Sequence, residues 1–256
     1  MNYNLMQAKL KYEGKVFDTI NSGKLVVTEY IDKYNIFVKF LDTGFCTKTQ
    51  APRLNKGNVR DKLATNVLGV GITGLRDNVT SFHEYDIWYS MLRRCYCEKS
   101  LARQPHYVGC EVSDNFKYFD YFKEWCENQI GSSSKDQNGE NFPLDKDILV
   151  KGNKLYSENT CCFVPREINN LFVGEKTSGD LLKGVTKIKR RKSFKVRVNK
   201  NGKRVYVGAY LTLEEAFNAY KEAKEQHIKE VANKWKDQID IRVYEALMKY
   251  EVEITD

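Results

Sequence analysis

Gly184–Ala223 reads GVTKIKRRKSFKVRVNKNGKRVYVGAYLTLEEAFNAYKEA, and its periodicities decide how this end of the chain folds. Phe194, Val196 and Val198 alternate with Lys195, Arg197 and Asn199, the two-residue repeat of a strand with one apolar and one basic face. Asn201-Gly202 is a two-residue hairpin signal, and Val205 and Val207 then alternate with Arg204 and Tyr206. Thr212 followed by Glu215 is a capping box that opens a helix with Ala216, Ala219, Tyr220, Ala223 and His227 on one face. Three strands against one helix would leave a basic sheet surface facing outward. His227, on the apolar side of that helix, reads as a core histidine.

Charge singles out the same segment. The chain has 256 residues and a formal net charge of +8. Between Lys183 and Tyr210 lie eleven Lys and Arg with no Asp or Glu, more than the excess of the whole chain. A positive field concentrated in one compact segment points to a polyanionic partner. Hydrophobic residues at 41% and aromatics at 12% are enough for packed cores, so wholesale disorder is not expected. No stretch approaches the ~18 apolar residues of a membrane span, and the N-terminal MNYNLMQAKLKYEGK lacks a long apolar run. Seven cysteines, with Cys161 and Cys162 adjacent, look like a reduced cytosolic set, so a cytoplasmic location is expected.

Working back from the basic segment, Leu144–Phe172 reads LDKDILVKGNKLYSENTCCFVPREINNLF. Leu144–Val150 predicts a short strand that places Asp145 and Asp147 on one face, and Lys151–Lys154 supplies turn chemistry. Cys161–Val164 is a second apolar run, and Pro165 is suited to the first position of a helix carrying Asn169 and Asn170. The polar run Gly131–Asn141 before it reads as a linker.

Residues 84–130 carry two helical aromatic stripes, Tyr85, Trp88, Met91, Leu92, Cys95 and Tyr96, then Phe116, Phe119, Phe122, Trp125 and Cys126; these predict one shared core. Cys95-x-Cys97 within a helical stripe lacks the paired spacing of structural zinc. In residues 1–76, Lys15–Ile20, Lys24–Tyr30 and Ile36–Phe40 predict strands, with turns at Asn21–Gly23 and Asp42–Gly44. This looks like an SH3-like barrel. Gly69–Gly74 formally fits GxGxxG, but no βαβ unit surrounds it, so its glycines read as turns. In Trp235–Glu253 a stripe of Ile239, Val243, Leu247 and Tyr250 predicts a helix that either covers an apolar surface of the chain or serves self-association.

Two resemblances follow from these motifs. Gly184-Val185, Gly202, Val205–Gly208, Thr212–Ala216 and Ala219-Tyr220 resemble the AP2 DNA-binding domain. That family lays its sheet in the major groove and reads bases from strand side chains, which implies double-stranded DNA as the partner. By position it makes Lys195, Arg197, Arg204 and Tyr206 the DNA-facing residues, with Arg190 and Arg191 in the first hairpin beside them. The strand pair and helix of Leu144–Phe172, dotted with Asp and Asn, resemble the ββα-metal core of the HNH endonucleases. With the W-x-x-M-L-x-R-C-Y run at Trp88–Tyr96, the order of segments is similar to phage-encoded HNH-type endonucleases that carry an AP2 domain.

In the HNH family a His ending the first strand activates water, and acidic and Asn or His residues hold a divalent metal. Here Asp147 falls where the His is expected, and no His lies between His106 and His227. The resemblance implies Asp147, Asn159 (or Thr160) and Asn169 (or Asn170) as catalytic positions. Asp145, Asp147 and Asn169 are then the ligands of Mg²⁺ or another divalent ion, should the site be active. A carboxylate of pKa ~4 is a poor acceptor of a water proton near neutrality.

The expected architecture is therefore α+β and multi-domain. It comprises an SH3-like β domain (1–76), a helical plus HNH-like ββα domain (77–175), an AP2-like domain (181–235) and a C-terminal helix (236–256). Three functions fit: a DNA-binding protein of HNH descent with its nuclease site weakened or lost, an active Mg²⁺- or Mn²⁺-dependent DNA endonuclease, or a DNA-anchored adaptor that binds another protein.

Overall fold

A computed structural model describes residues 3–173, 182–188 and 192–254, and the fold is mixed α+β. The chain divides into two compact units, Met1–Glu124 and Trp125–Asp256, a division that falls within the 77–175 segment.

The first unit opens with helix α1 (Tyr3–Tyr12) and the strands β1 (Val16–Asp18), β2 (Lys24–Asp32), β3 (Asn35–Phe40) and β4 (Cys46–Thr49), followed by the short helix α2 (Ala51–Asn55). The strands form an antiparallel meander in chain order. Leu25, Val27 and Tyr30 of β2 and Ile36, Val38 and Phe40 of β3 turn inward, and Tyr12, Leu54 and Val59 complete their core. The Tyr12 ring stacks on Tyr30 with centroids 5.3 Å apart. Among the described residues β1 and β4 remain the two edges, so the sheet does not close into the expected barrel. Neither α1 nor β4 was expected. β4 (CTKT) has no apolar alternation, so its pairing with β3 rather than its own pattern makes it a strand.

The rest of this unit contains helices α3 (His83–Tyr96) and α4 (Glu98–Arg103), strand β5 (Glu111–Val112) and the start of α5 (Phe119–Glu127). The two aromatic stripes do meet in one core. Trp88, Met91, Leu92, Phe116, Phe119 and Phe122 are fully buried, and the Trp88 indole lies 5.5 Å from the Phe119 ring. The Trp88 indole N–H donates to the Phe116 carbonyl at 2.7 Å, which satisfies its only polar group. Gly71 of the GxGxxG-like run touches this core. A Cβ there would lie 2.6 Å from Leu92 Cδ1 and 2.8 Å from the Trp88 ring, so close packing accounts for that glycine.

The second unit holds strands β6 (Leu144–Asp145), β7 (Leu155–Tyr156) and β8 (Cys162–Phe163), helix α6 (Arg166–Asn169), strands β9 (Val185–Ile188), β10 (Ser193–Lys200) and β11 (Lys203–Tyr210), and helices α7 (Leu213–Trp235) and α8 (Ile241–Met248). The 131–141 run is folded rather than an open linker. Asp136 and Glu140 close a turn, Lys135 bridges Asn141, and Gly131 packs against Phe163 and Phe142. β6 pairs antiparallel with β8, and α6 follows directly with Pro165 at its N-cap, one position before the expected place. Phe142, Phe163, Val164, Ile168 and Leu171 are buried here, and the Trp235 ring of α7 meets Phe142 edge-on at 5.7 Å. The C-terminal stripe is used within the unit: Ile239, Val243 and Leu247 are buried, with α8 packed along α7. No described helix is long and apolar enough to cross a membrane.

Candidate nucleic-acid interface

β9, β10 and β11 form an antiparallel sheet in chain order, and α7 packs on one of its faces. Val185, Val196 and Ala216 are the buried centre of that contact, flanked by Phe194, Val207, Tyr210 and Tyr220. Asn201 and Gly202 both have positive φ, 53° and 78°, as a type I′ hairpin requires. The capping box is complete. Thr212 Oγ1 accepts the Glu215 amide at 3.2 Å, and Glu215 Oε2 accepts the Thr212 amide at 3.2 Å. Gly184 holds the sheet to the helix. Its φ is +70°, and a Cβ there would collide with the Tyr220 ring and lie 2.5 Å from the Arg197 carbonyl oxygen.

The opposite face carries the polar side chains. Arg197 pairs in register with Tyr206, Asn199 with Arg204, and Lys195 with Thr186 of β9. Residues paired directly across strands share a face, so Lys195, Arg197, Arg204 and Tyr206 project from one surface. A bulge follows beyond them: pairing steps from Arg197–Tyr206 to Val196–Gly208, leaving Val207 as the extra residue on β11. Simple alternation along β11 does not contain that step. The Lys195 ammonium lies 5.3 Å from the Tyr206 ring centroid, an exposed cation–π contact that spans the two strands. Arg197, Arg204 and Tyr206 are exposed. Arg190 and Arg191 lie outside the described residues.

At the hairpin end, Lys200 is differently placed. Its ammonium is 3.0 Å from Glu230 on α7, and Glu230 in turn lies 3.5 Å from Nδ1 of His227. His227 is 3% exposed, as a core histidine should be. Burial lowers its pKa, outweighing the nearby Glu230 carboxylate, while Lys200 and Lys224 push in the same direction as burial. The Lys200 ammonium, through its hydrogen bond, holds the Glu230 carboxyl below its ordinary value.

In the β6–β8–α6 region the polar groups face one another. The strand expected over Leu144–Val150 ends at Asp145. Asp145 Oδ1 accepts the backbone amides of Asp147 and Ile148, at 2.7 and 2.9 Å, and that turn terminates the strand. Asp145 and Asp147 therefore do not share a strand face. Burial raises the pKa of Asp145 above its ordinary value, opposed by the two amide bonds. Lys146 sits between the aspartates with a side chain 6% exposed. Its ammonium contacts Asp147 Oδ1 at 2.6 Å and donates to the Asn153 carbonyl at 2.7 Å.

Asn153 clips the following loop by donating to the Lys146 and Leu155 carbonyls and accepting the Leu155 amide. Thr160 donates to the Leu155 carbonyl at 2.6 Å. Asn159 is exposed, and Asn169 is half-buried on α6. Beside them burial pushes the Cys161 thiol up to about 12 and raises Cys162 as well, so both are inert thiols.

A divalent ion suits this arrangement poorly. One oxygen of Asp145 is committed to backbone amides, and a buried ammonium already occupies the cation position beside Asp147. Among the described residues no three His, Cys, Asp or Glu side chains are grouped as metal ligands. Lys146 was missed in the sequence, although the strand pattern that turned the aspartates to one face turned this lysine to the other. No protein-family model, no curated protein and no solved structure matches the chain.

Proposed function

We propose that the chain is a double-stranded-DNA-binding protein of HNH-endonuclease descent, with an AP2-like sheet that docks in the major groove and a nuclease site weakened or lost. The observation that carries this reading is the outer face of β9–β11. Lys195, Arg197, Arg204 and Tyr206 share one surface, in a segment with eleven basic residues and no acid. Cations concentrated in a segment without acidic residues attract the phosphate backbone, and two arginines on strands can present bidentate donors to guanine. The order of motifs along the chain supports phage-encoded HNH proteins with an AP2 module as the relatives, acting in the cytoplasm of a host cell. The first unit's meander is taken as an SH3-like sheet that stays open.

Loss of hydrolysis rests on the ββα stretch. Asp147 stands where an imidazole base is expected and is paired with Lys146, and Asp145 caps its own turn. A general base typically contributes 10²–10⁴-fold, so a site without one would be slow even with metal bound.

The test is the salt dependence of duplex binding by the full chain, read by fluorescence anisotropy. Five cations meeting phosphates give a slope of log K against log salt of about −4 to −5. A flat response would remove phosphate contact as the basis of the reading.

A further inference from the structure

A second polar face lies in the first unit, on the side of the β1–β4 meander turned away from α1 and the core. Phe37 of β3 pairs in register with Glu29 of β2 and with Lys48 of β4, and Lys39 follows two residues along the same strand. These residues share the outward face, with Lys48 directly across from Phe37 on β4, Lys39 two residues along β3, and Phe37 itself 37% exposed. At the hairpin joining β2 to β3, Tyr34 is 56% exposed, with the Lys33 ammonium 4.9 Å from its ring centroid.

Three other lysines of this unit are matched to carboxylates, Lys24 to Asp18, Lys62 to Asp77 and Lys117 to Asp114, each within 2.8 Å. Lys39 and Lys48 have no carboxylate within salt-bridge distance among the described residues. Lys48 acts on Asp32 only through space, and Asp32 is already held by Asn35 and the Tyr34 amide. Glu29 is the one acid on the Phe37 row.

We propose that this face binds single-stranded nucleic acid, with the Phe37 ring as a stacking platform for a base and Lys39 and Lys48 as contacts to the flanking phosphates. A π-face accepts any base, and unpaired ammonium groups beside it neutralise the strand's backbone. A duplex fits less well. Its bases are stacked on one another and offer no free face to an aromatic side chain on a sheet. The partner is thus distinct in kind from the duplex assigned to β9–β11, and the chain would grip both forms of one polymer.

The experiment uses the full chain with Lys195, Arg197 and Arg204 all changed to Ala, so that the C-terminal sheet contributes less to binding. Anisotropy of a labelled oligothymidylate is then measured in that chain and after adding Phe37→Leu or Lys39→Ala/Lys48→Ala. Leucine keeps the apolar contact but removes the ring, and an unchanged thermal midpoint confirms that the fold persists. Phe37→Leu should weaken the single-strand complex by at least about fivefold, the lower end of base–aromatic stacking. The double lysine change should flatten the salt slope by about 1.4, since each single-strand phosphate contact contributes about 0.7. Failure of the starting chain to bind oligothymidylate, or an affinity and slope unmoved by both changes, would overturn the proposal. So would polyglutamate competing as well as unlabelled oligothymidylate, which would mark a surface for an acidic polypeptide. Duplex binding by the otherwise wild-type chain is measured alongside, so failure of the β9–β11 reading is seen separately.

Discussion

The β9–β11 sheet and the β6–β8–α6 region lie in the same unit, and both are rich in charged and amide side chains, yet they dispose of them in opposite ways. On the sheet, α7 takes the apolar face and leaves Lys195, Arg197, Arg204 and Tyr206 projecting from the other. In the ββα stretch, Asp145, Lys146, Asn153 and Thr160 bond to neighbouring main chain, and Lys146 also neutralises Asp147. A polar group bonded to its own loop stabilises that loop, while a group with bonding capacity left over is available to a ligand. The comparison teaches that the density of polar residues does not mark a site. Projection from one exposed face does.

The largest expected effect would break the comparison at its structural base. Gly184→Ala forces a Cβ into the Tyr220 ring and toward the Arg197 carbonyl at a φ of +70°. It should destabilise the sheet–helix contact by about 2–4 kcal/mol. Thermal unfolding would show the loss, and duplex binding should fall with it. An unchanged midpoint would mean that the close approach of Gly184 to Tyr220 is not what holds the sheet.

Next come the arginines. Arg197→Ala and Arg204→Ala should each relax base preference, since a bidentate guanine contact is worth about 1–3 kcal/mol of discrimination. Lys200→Ala should leave preference intact, because that ammonium already rests on Glu230. Sites selected from a random duplex pool with each variant would sharpen the distinction. Identical preferences in all three would move sequence readout off the β10–β11 face.

Smaller effects come from the array behind the hairpin. The pKa of His227 is lowered in the fold, so the folded state binds its proton less readily than the unfolded chain. The contribution to stability is full above the ordinary value of 6.5 and is lost as pH falls through the lower folded value. His227→Gln should therefore flatten the acid side of the stability profile, measured by urea unfolding from pH 7 to pH 5. Glu230→Gln should free Lys200 and steepen the salt slope of duplex binding by no more than about 0.9, one phosphate contact. No steepening would place Lys200 out of reach of the backbone.

Much of the C-terminal sheet was legible because its signals are local. Alternation over Phe194–Asn199, Asn201-Gly202 and the Thr212–Glu215 box each act within a few residues, and each appears where expected. The bulge at Val207 was not legible, since it depends on how β11 pairs with β10. In the ββα stretch, Leu144–Val150 looks like a strand by composition, but the Asp145 carboxylate captures two amides and turns the chain after two residues. Side-chain competition for backbone donors overrode propensity there. The open edge of the first sheet was hidden for another reason. Whether β1 meets β4 depends on twist and on what covers the ends, which alternation does not encode.

One measurement bears on both halves of the comparison at once. Supercoiled plasmid is incubated with the full chain and Mg²⁺, Mn²⁺ or EDTA, then half of each sample is deproteinised before electrophoresis. The account predicts retarded plasmid in the untreated lanes and intact supercoils, with at most faint Mn²⁺-dependent nicking, in the deproteinised ones. Robust metal-dependent cutting that disappears in Asp147→Ala would contradict it, as would plasmid that is never retarded.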